Sequence, residues 1–213
     1  MRCWSLLFAI AVLVGGPVSA QPRPLQVGMS AGGVAATQTH NTSGTLRATF
    51  ETTYLFGPAA SVFFIKPLMS RVAVRGEVGA LRKGHRRTGG PRPDVTESIR
   101  LDVFSIRLGG EAGMPIGGGV WGYGVLVPRL DVLVGEESEF KVDGRGQGGQ
   151  PTRLRYDAFV FGGVLGVGMR VDVGIGEALQ LEGRIDQDIT PAYSSSELTV
   201  RGRAFILSAG ILF

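Results

Sequence analysis

The stretch RAFILSAGILF, Arg203–Phe213, closes the chain. Counted back in twos from Phe213, it puts Ile211, Ala209, Leu207 and Phe205 on one face. Leu212, Gly210, Ser208, Ile206 and Ala204 fall on the other. A period of two marks a strand, whose successive side chains point to opposite sides. One face is apolar with an aromatic at each end, and the other is smaller and partly polar. A chain end in water is usually a frayed polar tail, so this segment calls for an environment that accepts apolar side chains on one side only.

The same period recurs upstream. LQVGMSAGGVAAT (Leu25–Thr37) sets Leu25, Val27, Met29 and Ala31 against Gln26, Gly28, Ser30 and Gly32. AASVFFIK (Ala59–Lys66) predicts a second strand without clear alternation. RVAVRGEVGALRKG (Arg71–Gly84) sets Val72, Val74, Val78 and Ala80 against Arg71, Arg75, Glu77 and Gly79. SIRLDVFSIRLGGEAG (Ser98–Gly113) starts with Ile99, Leu101 and Val103 opposite Arg100 and Asp102, then continues with Phe104, Ile106 and Leu108 opposite Arg107. This predicts a phase flip through a bulge near Phe104. Strand five is Val120–Gly135, irregular at Pro128. Strand six, within Arg155–Gly174, opposes Phe159, Phe161, Leu165, Val167, Met169, Val171 and Val173 to Gly162, Gly166, Gly168, Arg170 and Asp172. Strand seven, Leu179–Thr190, opposes Leu179, Leu181, Ile185 and Ile189 to Gln180, Glu182, Arg184, Asp186 and Asp188. With the closing segment this makes eight strands. The connections after strands one, three, five and seven are the longer, polar ones, and the others are short. No helical stripe of period 3.6 follows the start of the chain, which excludes an α/β fold. The expected fold is all-β, an eight-stranded antiparallel up-and-down transmembrane β-barrel.

The first twenty residues predict a cleaved signal peptide: Arg2, the apolar run CWSLLFAIAVLV (Cys3–Val14), and small residues at Val18 and Ala20. That run is too short for a membrane-spanning helix. Residues 21–213 would then form one barrel domain. The only cysteine, Cys3, lies in the leader without the residues of a lipidation box, so the exported domain holds no disulfide. Mean hydropathy is +0.18 although no second apolar stretch is long enough to be a helix. A membrane barrel explains this, because only every second residue faces lipid. The pI near 9.6 raises the question of nucleic acid. Basic residues are scattered among acids rather than gathered in a stripe, and export argues against that partner.

Alternation alone does not say which face is outside. Three features place the polar set in the lumen. Acids and bases alternate on one face: Arg75 with Glu77, Arg100 with Asp102, Arg170 with Asp172, and Arg184 among Glu182, Asp186 and Asp188. Such a set can pair across neighbouring strands inside a narrow barrel, where an unpaired charge is costly. Glycine, 34 residues in all, weakens ordinary strands but suits bends and a crowded interior. Third, the terminal Phe213 with Phe205, Leu207, Ala209 and Ile211 behind it resembles the C-terminal insertion signal of bacterial outer-membrane barrels. These five residues would face lipid, with Phe213 in the girdle nearest the periplasm.

LQVGMSAGG (Leu25–Gly33), VAVRGEVGALRKG (Val72–Gly84), LQLEGRIDQDIT (Leu179–Thr190) and RGRAFILSAGILF (Arg201–Phe213) together resemble, in order, the porin-family outer-membrane β-barrel proteins, PorT-like barrels among them. One departure is Ile185–Asp186, where that family often carries Tyr and Gly. The resemblance implies fold and location in the cell outer membrane rather than an activity.

The chemistry is sparse. A Ser–His–acid hydrolase needs a histidine beside its nucleophile, and His40 and His85 both fall in predicted polar loops. Cys and His are too few for a zinc site. Glu182, Asp186 and Asp188 could face a cation, but Arg184 among them favours ion pairing. GRGQGG (Gly144–Gly149) lacks the lysine of a phosphate loop. Trp121 and Tyr123 read as interface aromatics. The expectation is a non-enzymatic monomer without cofactor or metal, with outer-membrane lipid and the barrel-insertion machinery as partners. Two alternatives are a narrow channel for small solutes or ions, and a soluble periplasmic lipocalin-like binder.

Overall fold

A computed structural model describes residues 24–42, 50–89, 95–142, 145–146, 156–174, 177–195 and 198–213. The predicted leader, residues 1–20, lies outside them. Eight long strands follow one another: β1 Gln26–Thr42, β2 Phe50–Pro67, β3 Val72–Gly89, β4 Val95–Gly117, β5 Val120–Val142, β6 Phe159–Gly174, β7 Glu177–Asp188 and β8 Leu198–Leu212. Two-residue segments at Arg145–Gly146 and Tyr193–Ser194 pair antiparallel with the loop-end residues of β5 and β8. Every sequential pair is antiparallel. β8 returns to β1, from Gly28 opposite Leu212 to Thr42 opposite Leu198, and this closes the eight-stranded barrel. Closure leaves none of the eight long strands as a free edge, so their backbone donors and acceptors pair within the wall.

The two ends differ. At one, the chain turns tightly at 67–72 and at Gly117–Gly119, whose positive φ angles of 125°, 58° and 75° favour glycine. At the other, β1, β3 and β5 run well past the apolar part of the wall. The polar segment after strand one is largely strand: β1 runs to Thr42 and β2 begins at Phe50. Pro128 is tolerated because its side chain points outward and only the β4–β5 ladder is interrupted, between Arg107–Arg129 and Gly110–Leu126.

Alternation sets the two sides of the wall. β6 alternates exposed and buried residues from Phe159 to Gly166, with Gly163 half-buried on the outer phase, and β7 and β8 alternate over most of their length. The exterior carries Leu126, Leu165, Val167, Leu207 and their neighbours, and the interior carries charge.

Strand β4 corrects the expected phase flip. Ile99, Leu101, Val103, Ser105, Arg107 and Glu111 are all buried, while Arg100 and Asp102 are half-buried and Phe104, Ile106 and Leu108 are exposed. The strand keeps one phase throughout. The bulge exists, but it is the extra residue Val134 on β5, opposite the Asp102–Val103 step. Ile99, Leu101 and Val103 belong instead to an apolar cluster that fills the loop end of the lumen, with Val34, Leu81, Tyr156, Val160, Ala204 and Ile206.

Candidate functional site

The barrel interior below that apolar cap is occupied by charge. Six cations (Arg75, Lys83, Arg107, Arg129, Arg170 and Arg184) meet six carboxylates (Glu77, Glu111, Asp131, Glu182, Asp186 and Asp188). The set is formally neutral. It is assembled because inward positions on β3, β4, β5, β6 and β7 sit at matching heights once the strands are in register.

Glu77 is the central acceptor. Arg184 grips it with two hydrogen bonds of 2.7 Å, Arg107 adds one of 2.5 Å, and Arg75 one of 3.2 Å. Two parallel N–H···O bonds from a guanidinium to a carboxylate form the strongest and most directional of such contacts. Arg184 also meets Glu182 on its own strand. Toward the turn end, Arg75 donates to Glu182 at 2.6 Å and stacks on the Phe63 ring at 4.5 Å. Tyr123 donates its hydroxyl to Glu182 at 2.7 Å. Arg170 holds Glu111 through two bonds of 2.6 and 2.5 Å and lies over the Tyr123 ring. Toward the loop end, Arg129 bridges Asp131 and Asp188, and Lys83 donates to Asp131 at 2.7 Å. Asp186, fully buried, is ringed by Lys83, Arg107 and Arg129 at 3.5–3.6 Å.

Glycine makes the room for this packing. A Cβ at Gly166 would run into the Arg184 stem and Val125, and one at Gly162 would meet the Arg129 guanidinium. Both face the lumen from β6, where the long side chains of β5 and β7 lean across.

Of the residues expected in the lumen, Arg75, Glu77, Arg170, Glu182, Arg184, Asp186 and Asp188 are buried there. Three are elsewhere. Arg100 and Asp102 face outward above the apolar band, where Arg100 meets Glu137 at 3.6 Å and Arg82 meets Asp102 at 2.7 Å. Asp172 is exposed at the turn end and accepts a hydrogen bond from the Gly174 amide. For Arg100 and Asp102 the reason is that strands extend beyond the lipid-facing part of the wall, where the outer face is free to carry charge. Asp172 keeps the inward phase of β6 but stands past the network, where the lumen opens. Near the loops, the Lys141 ammonium beside Glu139 holds that carboxyl below the usual range.

Lys83, Arg107, Glu111, Arg129 and Asp131 were not in the expected set. The continued odd phase of β4, Val103–Ser105–Arg107 and on to Glu111, would have found two of them. Tyr123 is a lumen residue rather than an interface aromatic, since β5 points its odd positions inward. His40 and His85 lie on strands β1 and β3, not in loops. Their rings are 5.1 Å apart inside the loop end. The closing strand exposes Phe205, Leu207, Ala209 and Phe213, with Ile211 half-buried, all on the outer face.

At the turn end a vestibule of about 450 Å³ opens inward and stops at the Glu111–Arg170 pair. Among the described residues nothing in the arrangement sets a nucleophile beside a base, and each lumen carboxylate near Asp186 is already faced by a cation.

The molecule is thus a closed eight-stranded antiparallel barrel, apolar outside and charge-filled inside. No family model and no curated protein matches the chain. Among solved structures it is similar to Neisserial surface protein A, with 14% identity, a TM-score of 0.49 and coverage of 90% of this chain and 97% of that one. It is also similar to the outer-membrane protein OprG of Pseudomonas aeruginosa (8%, 0.49, 92% and 99%). A third is the attachment invasion locus protein Ail of Yersinia pestis (13%, 0.41, 90% and 100%). Overlaps of this quality carry no inference about activity.

Proposed function

We propose that the chain is an integral outer-membrane barrel without enzymatic activity, which anchors its long connections at the cell surface and does not conduct. The observation that carries this reading is the inversion of the wall. Arg75, Glu182 and Asp186 are at most 1% exposed, whereas Val167 and Leu126 are 70% and 68% exposed. Soluble monomers rarely expose a contiguous apolar patch of more than a few hundred Å², and this one runs around the barrel. A lipocalin-like soluble binder would need the opposite arrangement, with an apolar cavity and a charged exterior. Kinship with the porin-family barrels rests on the four short motifs alone.

A barrel of eight strands has an interior just wide enough for side chains, and here paired charges fill it. In planar bilayers the refolded protein is expected to give no resolved single-channel current at moderate salt. Stable conductance steps would favour the narrow-channel alternative, with the vestibule on the turn side of Glu111–Arg170 as its entrance.

The outer face of β8 supports a role in membrane insertion. Adding a strand to another sheet's edge uses the backbone for affinity and alternate side chains for specificity, and Phe205, Leu207, Ala209, Ile211 and Phe213 are such alternates. Phe213 also continues the β8–β1 ladder, exchanging two backbone hydrogen bonds with Val27. Deleting Phe213 is expected to slow insertion in cells far more than it weakens the barrel refolded from urea into detergent. Equal losses in the two assays would make Phe213 a packing residue only.

A further inference from the structure

The lipid-facing wall is not uniform. Across β6, β7, β8, β1 and β2 runs an external groove of about 560 Å³, within the range of about 300–1,000 Å³ usual for ligand clefts. Register explains it. One row of outward residues reads Leu165, Ile185, Phe205, Ala35 and Phe56 across the five strands. The row beneath reads Val167, Gly183, Leu207, Gly33 and Pro58. Large residues therefore alternate with Gly183, Gly33 and Ala35, and a side chain added at either glycine would meet nothing within 4 Å. Tyr54 leans on Phe205 with ring centroids 6.0 Å apart and closes the upper edge.

Directly above the groove, on the same face of β8, stand Arg203 and Arg201, both exposed. From Leu207 to Arg203 the strand rises roughly 13 Å. Arg203 donates to the Gln187 side chain at 2.8 Å, and neither arginine forms an ion pair among the described residues. Of the other outward arginines of the loop end, Arg82 and Arg100 are matched by Asp102 and Glu137, and Arg86, which donates to the Ser98 hydroxyl at 3.3 Å, stands on β3 away from the groove.

We propose that this wall holds one phosphate-bearing lipid of the outer leaflet, its acyl chain in the groove and its phosphate on Arg203 and Arg201. The proposal rests on the membrane reading above and deepens it by naming a lipid partner. The groove accounts for the chain, because the two glycines leave a depression that loose lipid would otherwise have to fill by disorder. The arginine pair accounts for the headgroup, because two guanidinium groups with no carboxylate partner among the described residues, at the edge of an apolar band, complement an anionic phosphate.

The test uses the barrel solubilised in neutral detergent and native mass spectrometry, with dioleoyl phosphatidic acid, dioleoylglycerol or inorganic phosphate added. One phosphatidic acid per barrel is expected to survive desolvation, with dioleoylglycerol and phosphate retained far less. The R201Q/R203Q double variant is expected to lose retention about tenfold. Gly33→Leu with Gly183→Leu, which fills the groove without touching the charges, is expected to lose a similar amount. Gly110→Leu, outward on β4 across the barrel, is expected to change nothing. Equal retention of dioleoylglycerol, equal retention of phosphate alone, or indifference to both double variants would overturn the proposal. The heat-dependent gel shift of a folded barrel is followed on each sample. Its presence without phosphatidic acid retention rejects the lipid site alone, and its absence in the unmodified protein rejects the barrel reading beneath it.

Discussion

Glu77→Ala is expected to cost the refolded barrel about 3–5 kcal/mol, the usual penalty for removing one member of a buried ion pair. Three guanidinium groups, those of Arg184, Arg107 and Arg75, lose an acceptor at once. The lumen set, neutral with six cations and six carboxylates, is left with a surplus positive charge in a space closed by Tyr123 below and an apolar cluster above. The loss does not measure what the network contributes, because a well-packed apolar replacement of a whole pair is often neutral. It measures the cost of a buried cation without its partner. Urea unfolding in lipid vesicles gives the number. The double variant Glu77→Ala with Arg184→Ala is expected to recover part of it, which a double-mutant cycle isolates. A silent Glu77→Ala would mean that these charges are hydrated rather than paired.

Arginine at the lipid face is expected to cost about 2–4 kcal/mol where the site lies near the bilayer midplane. Val167 and Leu181 are the sites. They are 70% and 47% exposed, sit in adjacent strands near mid-length, and have no polar neighbour on the outer face. Refolding stability in vesicles is again the readout. Near-neutral effects at both positions would show that the two faces of the wall have been assigned the wrong way round. The same substitution at Thr39, outward on β1 but above the apolar band, is expected to cost far less, since the membrane cost falls toward the interface and leaves mainly the repulsion from Arg201 directly opposite.

Most of the fold is legible in the sequence wherever the two faces of a strand differ in chemistry. Strands β1, β3, β6, β7 and β8 alternate apolar residues with glycine, serine or charge, and each settles with its apolar set outside. The reading fails where both faces look alike. In the first half of β4, the inward residues Ile99, Leu101 and Val103 resemble a lipid-facing set because the loop end of this lumen is apolar. Arg100 and Asp102 resemble lumen charges because nothing in a single strand tells how far it extends beyond the membrane. The second strand shows no alternation for a related reason: inward Phe63 and Ile65 are as apolar as outward Val62 and Phe64. The charge network is half legible. Arg75 and Glu77 of β3, Arg170 of β6 and the β7 members follow from alternation alone. Lys83, Arg129 and Asp131 depend on which residues of separate strands come level, and that is a property of the closed register.

The measurement that bears most directly on the inverted wall compares two adjacent residues of β8, Leu207 and Ser208. Because Cys3 is the only cysteine, single cysteines at these positions in a Cys3→Ser background can each carry a nitroxide in vesicles. Leu207 is 63% exposed and Ser208 6%. The expected result is frequent collision with oxygen, which concentrates in the acyl region, at Leu207. At Ser208, low accessibility to oxygen and to a water-soluble nickel chelate alike is expected, or failure to label until urea unfolds the barrel. Ready collision with the nickel chelate at Leu207 together with oxygen exposure at Ser208 would contradict it.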